Sequence, residues 1–251
     1  MNPALAYHEY LGPAIFRPCA ELALALANIQ PHEHVLDVAC GTGIVTSLVR
    51  AARVVGIDLS PGMLEVAMRT PGVEWLQGSA LALPLPDATF DVVLCQQGMQ
   101  FFKDRAAAAR ELRRVCTGRA VVACWQSFEQ QSFFAGVVRS QAKHLGATIE
   151  DAGKPFTFGD GTALGALLRD AGFARVDVQA HAIETRFPDP PQFVRMCVAS
   201  ALAVMPERFG SVDPEPFISA VVADVQDEMR RFTVGDHLQF TMKTNTAVAF
   251  V

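Results

Sequence analysis

The stretch His34-Val35-Leu36-Asp37-Val38-Ala39-Cys40-Gly41-Thr42-Gly43 constrains the fold of this chain more than any other. Val35, Leu36 and Val38 make a short apolar run of the kind a buried parallel strand needs. The run stops at a turn with two glycines, and Ile44 to Val49 then reads as the opening of a helix. Strand, Gly-x-Gly turn and helix in succession bring backbone N–H groups up to a ligand with no side chain in the way. A second strand, Val54-Val55-Gly56-Ile57, ends in Asp58, 15 residues after Gly43. An acid at that strand end can hold both hydroxyls of a ribose in a bidentate hydrogen bond.

Asp37-x-x-Cys40-Gly41-Thr42-Gly43 followed by Asp58-Leu59-Ser60 resembles motif I and the next acidic loop of class I S-adenosylmethionine-dependent methyltransferases. The likeness is strongest to the type 11 branch, which includes the ubiquinone and menaquinone biosynthesis methyltransferases. Leu83-Pro84-Leu85-Pro86-Asp87-Ala88-Thr89-Phe90-Asp91-Val92-Val93 resembles a run characteristic of that branch. Specific motifs cover about residues 30–125; the rest matches only in the order of its elements.

The resemblance implies an α/β fold: a doubly wound, seven-stranded, mostly parallel, Rossmann-like sheet with its last strand antiparallel, and a helical cap. It implies S-adenosylmethionine as cofactor and S-adenosylhomocysteine as product. The residues it assigns to the cofactor are Asp37, Ala39, Gly41, Thr42 and Gly43 in the first loop, and Asp58, Leu59 and Met63 after the second strand. Gly78, Ser79 and Ala80 follow the third strand, and Gln96, Gln97 and Phe101 follow the fourth. Relatives usually carry Asp where this chain has Ser79, so the expected contact with the adenine amino group loses its charge.

Composition narrows the function. Net charge is −5 with no Lys/Arg run, which argues against nucleic acid and leaves room for the small-molecule substrate that the resemblance implies. The six cysteines never form Cys-x-x-Cys, so neither a metal site nor a disulfide framework is expected. The N-terminus lacks a basic region before an apolar core, and no apolar run reaches membrane-spanning length. A soluble, cytoplasmic chain is expected.

One domain over residues 1–251 is expected, with its core at about 30–126, 159–187 and 237–251 and cap segments at about 1–29, 127–158 and 188–236. Residues 5–29 read as helix broken near Gly12-Pro13, Lys103 to Val115 as an amphipathic helix with outward arginines, and Gly159 to Gly172 as a helix. Gly118 reads as a turn before a fifth strand from Arg119 to Trp125. Helices at about 190–205 and 214–231 precede a last strand read in two pieces, Leu238–Met242 and Ala247–Phe250. Tyr7, Trp125, Phe133, Phe134, Phe156 and Phe193 are candidates to line an acceptor pocket.

A sulfonium methyl is already activated, so alignment is the expected contribution of the protein. Tyr7, Tyr10 and His181 are weak catalytic candidates, and His8, His144 and His237 are further possible bases. Two other readings stay open at this level. One is a protein that binds the cofactor without transferring methyl, in regulation or rearrangement. The other is a nicotinamide-dependent oxidoreductase, disfavoured because Gly41-Thr42-Gly43 lacks the third glycine of the dinucleotide fingerprint.

Overall fold

The computed structural model describes residues 3–204 and 212–251. Met1, Asn2 and residues 205–211, which include the end of the helix expected at about 190–205, lie outside the described residues. The strands are β1 His34–Val38, β2 Arg53–Asp58, β3 Glu74–Gln77, β4 Phe90–Gln96, β5 Cys116–Trp125, β6 Arg175–Pro188, β7 Thr233–Val234 and β8 His237–Phe250. They form one sheet in the order β3-β2-β1-β4-β5-β8-β6, with β7 a short arm on β8. β1 to β5 are parallel, and β8 runs antiparallel to both β5 and β6. The last strand is therefore antiparallel, as the resemblance implies, and lies between β5 and β6.

Apolar residues on both faces of each strand build two layers. Leu36, Val38, Val93 and Val122 pack with Leu112 and Leu164 of the helices Arg105–Val115 and Gly161–Asp170. Val35, Leu94 and Val121 pack with Ala20, Ala23 and Ala27 of the helix Arg17–Ala27. A third cluster lies beyond the carboxyl edge of the sheet. There β5 stops at the pair Trp125–Thr244, while β6 and β8 continue as a two-stranded ribbon to the pair Pro188–His237. One face of that ribbon (Phe187, Leu238, Phe240, Met242) packs with Val137, Phe193 and Val221 of three cap helices, Phe134–Leu145, Pro190–Val204 and Pro214–Asp224.

Several elements differ from the sequence reading for identifiable reasons. β8 is continuous, because Lys243 of the polar run that seemed to split it faces solvent while Thr244 and Asn245 are buried and paired. Thr244 Oγ1 donates to the Cys124 carbonyl (2.8 Å), Asn245 Nδ2 to that of Gly159 (2.8 Å), and Gln131 Nε2 to that of Lys243 (2.7 Å). The helix expected from Ile44 shrinks to a 3₁₀ turn at Thr46–Leu48, in keeping with β-branched Ile44, Val45, Thr46 and Val49 and the short span before β2. Residues 7–16 are not broken at Pro13 but wound as a π-helix, whose wider turn takes in a residue with no N–H to donate. The helix expected over 214–231 divides at Val225, which is buried and non-helical. β5 starts at Cys116, and Gly118 is no turn: a Cβ there would lie 2.6 Å from the Asp91 carbonyl oxygen.

The arginines of Arg105–Val115 are not simply a solvated face. Arg114 clamps the proline loop: it donates to Glu111 (2.7 Å to each oxygen), to the Leu83 and Leu85 carbonyls (3.1 and 2.8 Å) and to Asp87 (2.6 Å). Glu111 Oε2 in turn accepts the Leu83 N–H at 2.6 Å. Arg114→Ala is expected to cost about 2 kcal/mol, from hydrogen bonds to charged groups. That should lower the melting temperature by roughly 4–8 °C in circular dichroism. An unchanged melting curve would show that the clamp contributes nothing net.

Candidate active site

The sheet order reverses between β1 and β4, and open α/β sheets hold their ligands at such a point, outside the carboxyl ends of the strands. Ala39 (φ +58°) and Gln97 (φ +56°) are the first residues beyond those two strands. Both are left-handed without being glycine, which costs about 1–2 kcal/mol each. Hydrogen bonds from Cys40 N–H to the Ile57 carbonyl (3.1 Å) and from Gln97 N–H to that of Ala123 (2.8 Å) hold the two turns in place. Gly98 leaves the room they need, since a Cβ there would stand 2.7 Å from Ala39 Cβ.

In the glycine loop Gly41 has φ +55°, and its N–H donates to Asp58 Oδ2 at 2.8 Å. The other oxygen, Asp58 Oδ1, accepts the Ser60 N–H at 2.8 Å. The carboxylate is thus oriented by backbone at both oxygens, and each retains a lone pair. Burial raises its pKa, against the pull of the N–H groups of Ser60, Gly41 and Leu59. Asp37 lies deeper, 1% exposed, with Thr46 Oγ1 donating to its Oδ2 at 2.5 Å. Burial, aided by Asp58, pushes its pKa up to about 7.

Three adjoining cavities open from this point. The largest, about 650 Å³, is lined by Gly41, Asp58, Leu59, Met63, Gly78, Ser79, Ala80 and Phe101 among others. Ser79 Oγ accepts the Leu81 N–H at 3.1 Å, leaving one further acceptor position. A small pocket of about 80 Å³ lies among Asp37, Ala39, Gly41, Thr42 and Gln96, roofed by Tyr7 and Phe16. Gln96 Nε2 donates to the Phe16 carbonyl at 3.1 Å, tying the N-terminal segment to the sheet, whereas Gln96 Oε1 is buried without a partner. His8 Nδ1 and Thr42 Oγ1 hydrogen-bond at 2.9 Å and make a second tie. The third cavity, about 190 Å³, is an apolar chamber walled by Trp125, Phe134, Phe156 and Met242. Gln97 borders all three cavities, and Met63 and Phe101 border both the largest and the chamber.

Most of the residues singled out from sequence line this space; some do not. Gly43 (φ +80°) lies under the indole of Trp75, where a Cβ would meet the ring at 2.7 Å, so its part is packing. Phe133 is fully buried among Phe134, Phe193, Phe232 and Phe240, behind the chamber wall rather than on it. Tyr10 packs into the cap core, and Phe193 is fully buried there. His181 is on the edge strand β6, outside the three cavities, with its Nε2 buried and unpartnered. His144 pairs with Asp224 (3.0 Å) and His237 with the adjacent Asp236.

Tyr7 lines the chamber, but burial and the nearby Asp58 raise its pKa, which suits a donor rather than a base. Sequence reasoning missed Phe16, Gln141, Ser200 and Met242, which no motif surrounds. It missed Trp75 too, although a glycine inside a strand, Gly56, signals a close approach: a Cβ there would stand 2.4 Å from that indole. Among the described residues no cluster of three or more His, Cys, Asp or Glu could hold a metal, and no helix is long and apolar enough to cross a membrane.

A family model described as a methyltransferase domain matches residues 36–124. The 2-phytyl-1,4-naphtoquinone methyltransferase of Thermosynechococcus vestitus is 34% identical over 163 residues, 56% of this chain and 72% of the relative. The malonyl-[acyl-carrier protein] O-methyltransferase of Serratia marcescens is 37% identical over 112 residues; the match spans 43% of this chain and only 44% of that relative. Among solved structures, a Haemonchus contortus phosphoethanolamine N-methyltransferase in complex with S-adenosylhomocysteine superposes with a TM-score of 0.60 at 15% identity. That superposition covers 98% of this chain and 56% of the other, and at such identity it speaks for the fold alone.

The raised pKa of Asp37 has a consequence for stability. From pH 3.8, its ordinary value, to about 7 the folded chain keeps a proton that the unfolded chain releases. Stability of the ligand-free protein therefore falls as pH rises through that window. Urea unfolding of Asp37→Asn at pH 5 and pH 8 should show a larger gain over wild type at pH 8. Parallel pH profiles for the two proteins would refute the assignment.

Proposed function

Because the chain belongs to the S-adenosylmethionine-dependent methyltransferases, we propose that it transfers the cofactor's methyl group to a nitrogen, oxygen or carbon of a small, planar or apolar acceptor. The observation that carries this reading is the continuity of the three cavities across Gln97. A large cavity with an oriented carboxylate, and a small pocket with a buried acid, adjoin a chamber suited to an apolar molecule.

The residues present fit the cofactor. Asp58, with one lone pair free on each oriented oxygen, suits a ribose diol. Leu59, a large apolar side chain 68% exposed, and Met63 offer apolar surface to the adenine, and Ser79 has an acceptor position left for its amino group. Gly78 and Ala80 keep that wall shallow. Gln96 Oε1, buried without a donor, and Asp37, a buried acid without a cation, lack what an α-ammonium supplies. When bound, S-adenosylmethionine contributes a methyl group already activated on a sulfonium.

The chain's own work is alignment and the exclusion of water. Phe16, Phe101 and Trp125 enclose the junction, and Tyr7 presents a phenol that burial keeps protonated. Proximity and orientation of this kind can contribute roughly 7–11 kcal/mol to lowering the barrier. Among the described residues, the chamber wall carries no histidine and no carboxylate, and burial holds the Cys197 thiol protonated. The acceptor atom must then be nucleophilic without a base from the protein.

Calorimetry with S-adenosylmethionine tests the cofactor site. Asp58→Ala should lose about 1.5–3 kcal/mol of binding, the worth of a charged hydrogen bond. Unchanged affinity in a variant with a native circular-dichroism spectrum would remove Asp58 from the site. Incubation with a pool of neutral aromatic and heterocyclic metabolites should yield S-adenosylhomocysteine and one product heavier by a methyl group, seen by mass spectrometry. Tight cofactor binding with no product from any acceptor would favour a protein that binds the cofactor without transfer.

A further inference from the structure

The apolar chamber contains two polar side chains whose hydrogen-bonding capacity no described residue uses. Gln141, 6% exposed, and Ser200, 8% exposed, both line it, and neither has a hydrogen-bond partner among the described residues. Elsewhere Gln96 Oε1, Gln100 Oε1, His181 Nε2 and Thr185 Oγ1 are buried without a partner, but each of those is a single atom and none lines the chamber. Buried Gln126, Gln131, Thr244 and Asn245 are all paired through their side chains. Unpaired buried amides and hydroxyls are costly and call for an explanation.

Helical spacing shows that the two are placed in the wall rather than stranded by accident of packing. Phe134, Val137, Val138 and Gln141 of the helix Phe134–Leu145 stand at i, i+3, i+4 and i+7 and share one face. Gln141 takes the position where an apolar residue would complete that face. Cys197, Ser200 and Ala201 repeat the pattern on the helix Pro190–Val204. Tyr7, Phe16, Met63, Gln97 and Phe101 are the chamber residues shared with the cofactor-sized cavities; Gln141 and Ser200 are not shared. They therefore belong to the part of the wall that only the chamber uses.

Size and charge narrow what they meet. An apolar cavity of about 150 Å³ accepts benzene, so the chamber's roughly 190 Å³ suits one ring with one or two small substituents. No lysine, arginine, histidine or carboxylate lines it among the described residues, and an ion there would lack a partner. Resting on the methyl-transfer reading of this site, we propose that Gln141 and Ser200 determine acceptor specificity. They hydrogen-bond one uncharged substituent (hydroxyl, carbonyl or carboxamide) of a single-ring acceptor, on the side away from the methylated atom. A site built to pair such a group rejects the analogue that lacks it, because its own polar atoms are then left buried and bare.

The test uses the full chain saturated with S-adenosylhomocysteine and titrated with phenol, toluene and benzoate, followed by ligand-detected NMR. Phenol should bind at least ten-fold more tightly than toluene, and benzoate more weakly than phenol. Gln141→Leu and Ser200→Ala should each shrink the phenol-to-toluene ratio at least three-fold, with affinity for S-adenosylhomocysteine unchanged as the check on folding. Should Gln141→Leu fail that check, Gln141→Asn, which shortens the amide by one methylene, and Ser200→Ala carry the comparison. Equal affinity for phenol and toluene, tightest binding of benzoate, or a ratio preserved in the variants would overturn the proposal and leave the methyl-transfer reading standing. A wild-type chain that does not bind S-adenosylhomocysteine at all would overturn both.

Discussion

The hydrogen bond from the Gly41 N–H to Asp58 Oδ2 joins the loop after β1 to the end of β2, and the cofactor-sized cavity takes its shape from that bond. It exists because Gly41 is left-handed: at φ +55° the loop folds back until its N–H faces the neighbouring strand. The Ser60 N–H holds the other carboxylate oxygen, and Ser60 then accepts the Met63 N–H as the cap of the helix Pro61–Ala67. One acid thus fixes the loop before it and the helix after it. Its reward on binding is the greater because water has already been largely excluded around it, as the raised pKa records.

Against that ordering stands stored strain. Ala39 and Gln97 are held left-handed side by side, and Asp37 is buried as an acid with only Thr46 donating to it from a side chain. Each of these is unfavourable alone, and the parallel sheet holds them through backbone bonds to Ile57 and Ala123. All three line the small pocket beneath Tyr7 and Phe16. Unfavourable features gathered where a ligand would relieve them are the usual sign of preorganisation, since reorganisation has been met in folding rather than at binding.

The half of the chain that could be read from sequence is the half whose function is made by backbone. A turn that needs φ > 0, an acid that must end a strand, and a strand buried on both faces each demand particular residue types at particular spacings, so β1, β2, β4, Asp58 and Ser60 were legible. Where the same stretch was misread, a side chain decided the outcome. Gly43 looked like a ligand residue, yet it makes room for an indole arriving from β3, and its partner Gly56 went unremarked. The apolar chamber is made by side chains on eight stretches far apart in sequence, so no local pattern could announce it. Phe133 and Phe134 are adjacent and chemically alike; helix rotation alone puts one on the wall and the other behind it. β8 looked interrupted because the residues that satisfy its polar run, Gln126 and Gln131, lie more than 100 positions away.

This division has a physical consequence for how the two halves can change. The cofactor-sized cavity is bounded by strand ends whose registers are locked by the ladder, and a one-residue slip there would move every side chain to the opposite face. The chamber is bounded by helix faces and a ribbon outside the sheet, where a residue can be exchanged without disturbing any ladder bond. The two are coupled only through the few side chains they share, Met63, Gln97 and Phe101. Of these Gln97 is the most constrained: its backbone is left-handed, its Nε2 donates to Thr244 of β8, and its Oε1 accepts from Gln100. A residue so pinned transmits position rather than specificity. On the proposed methyl-transfer reading it sets where an acceptor stands relative to the cofactor, and leaves the choice of acceptor to the unpinned amide and hydroxyl on the cap helices.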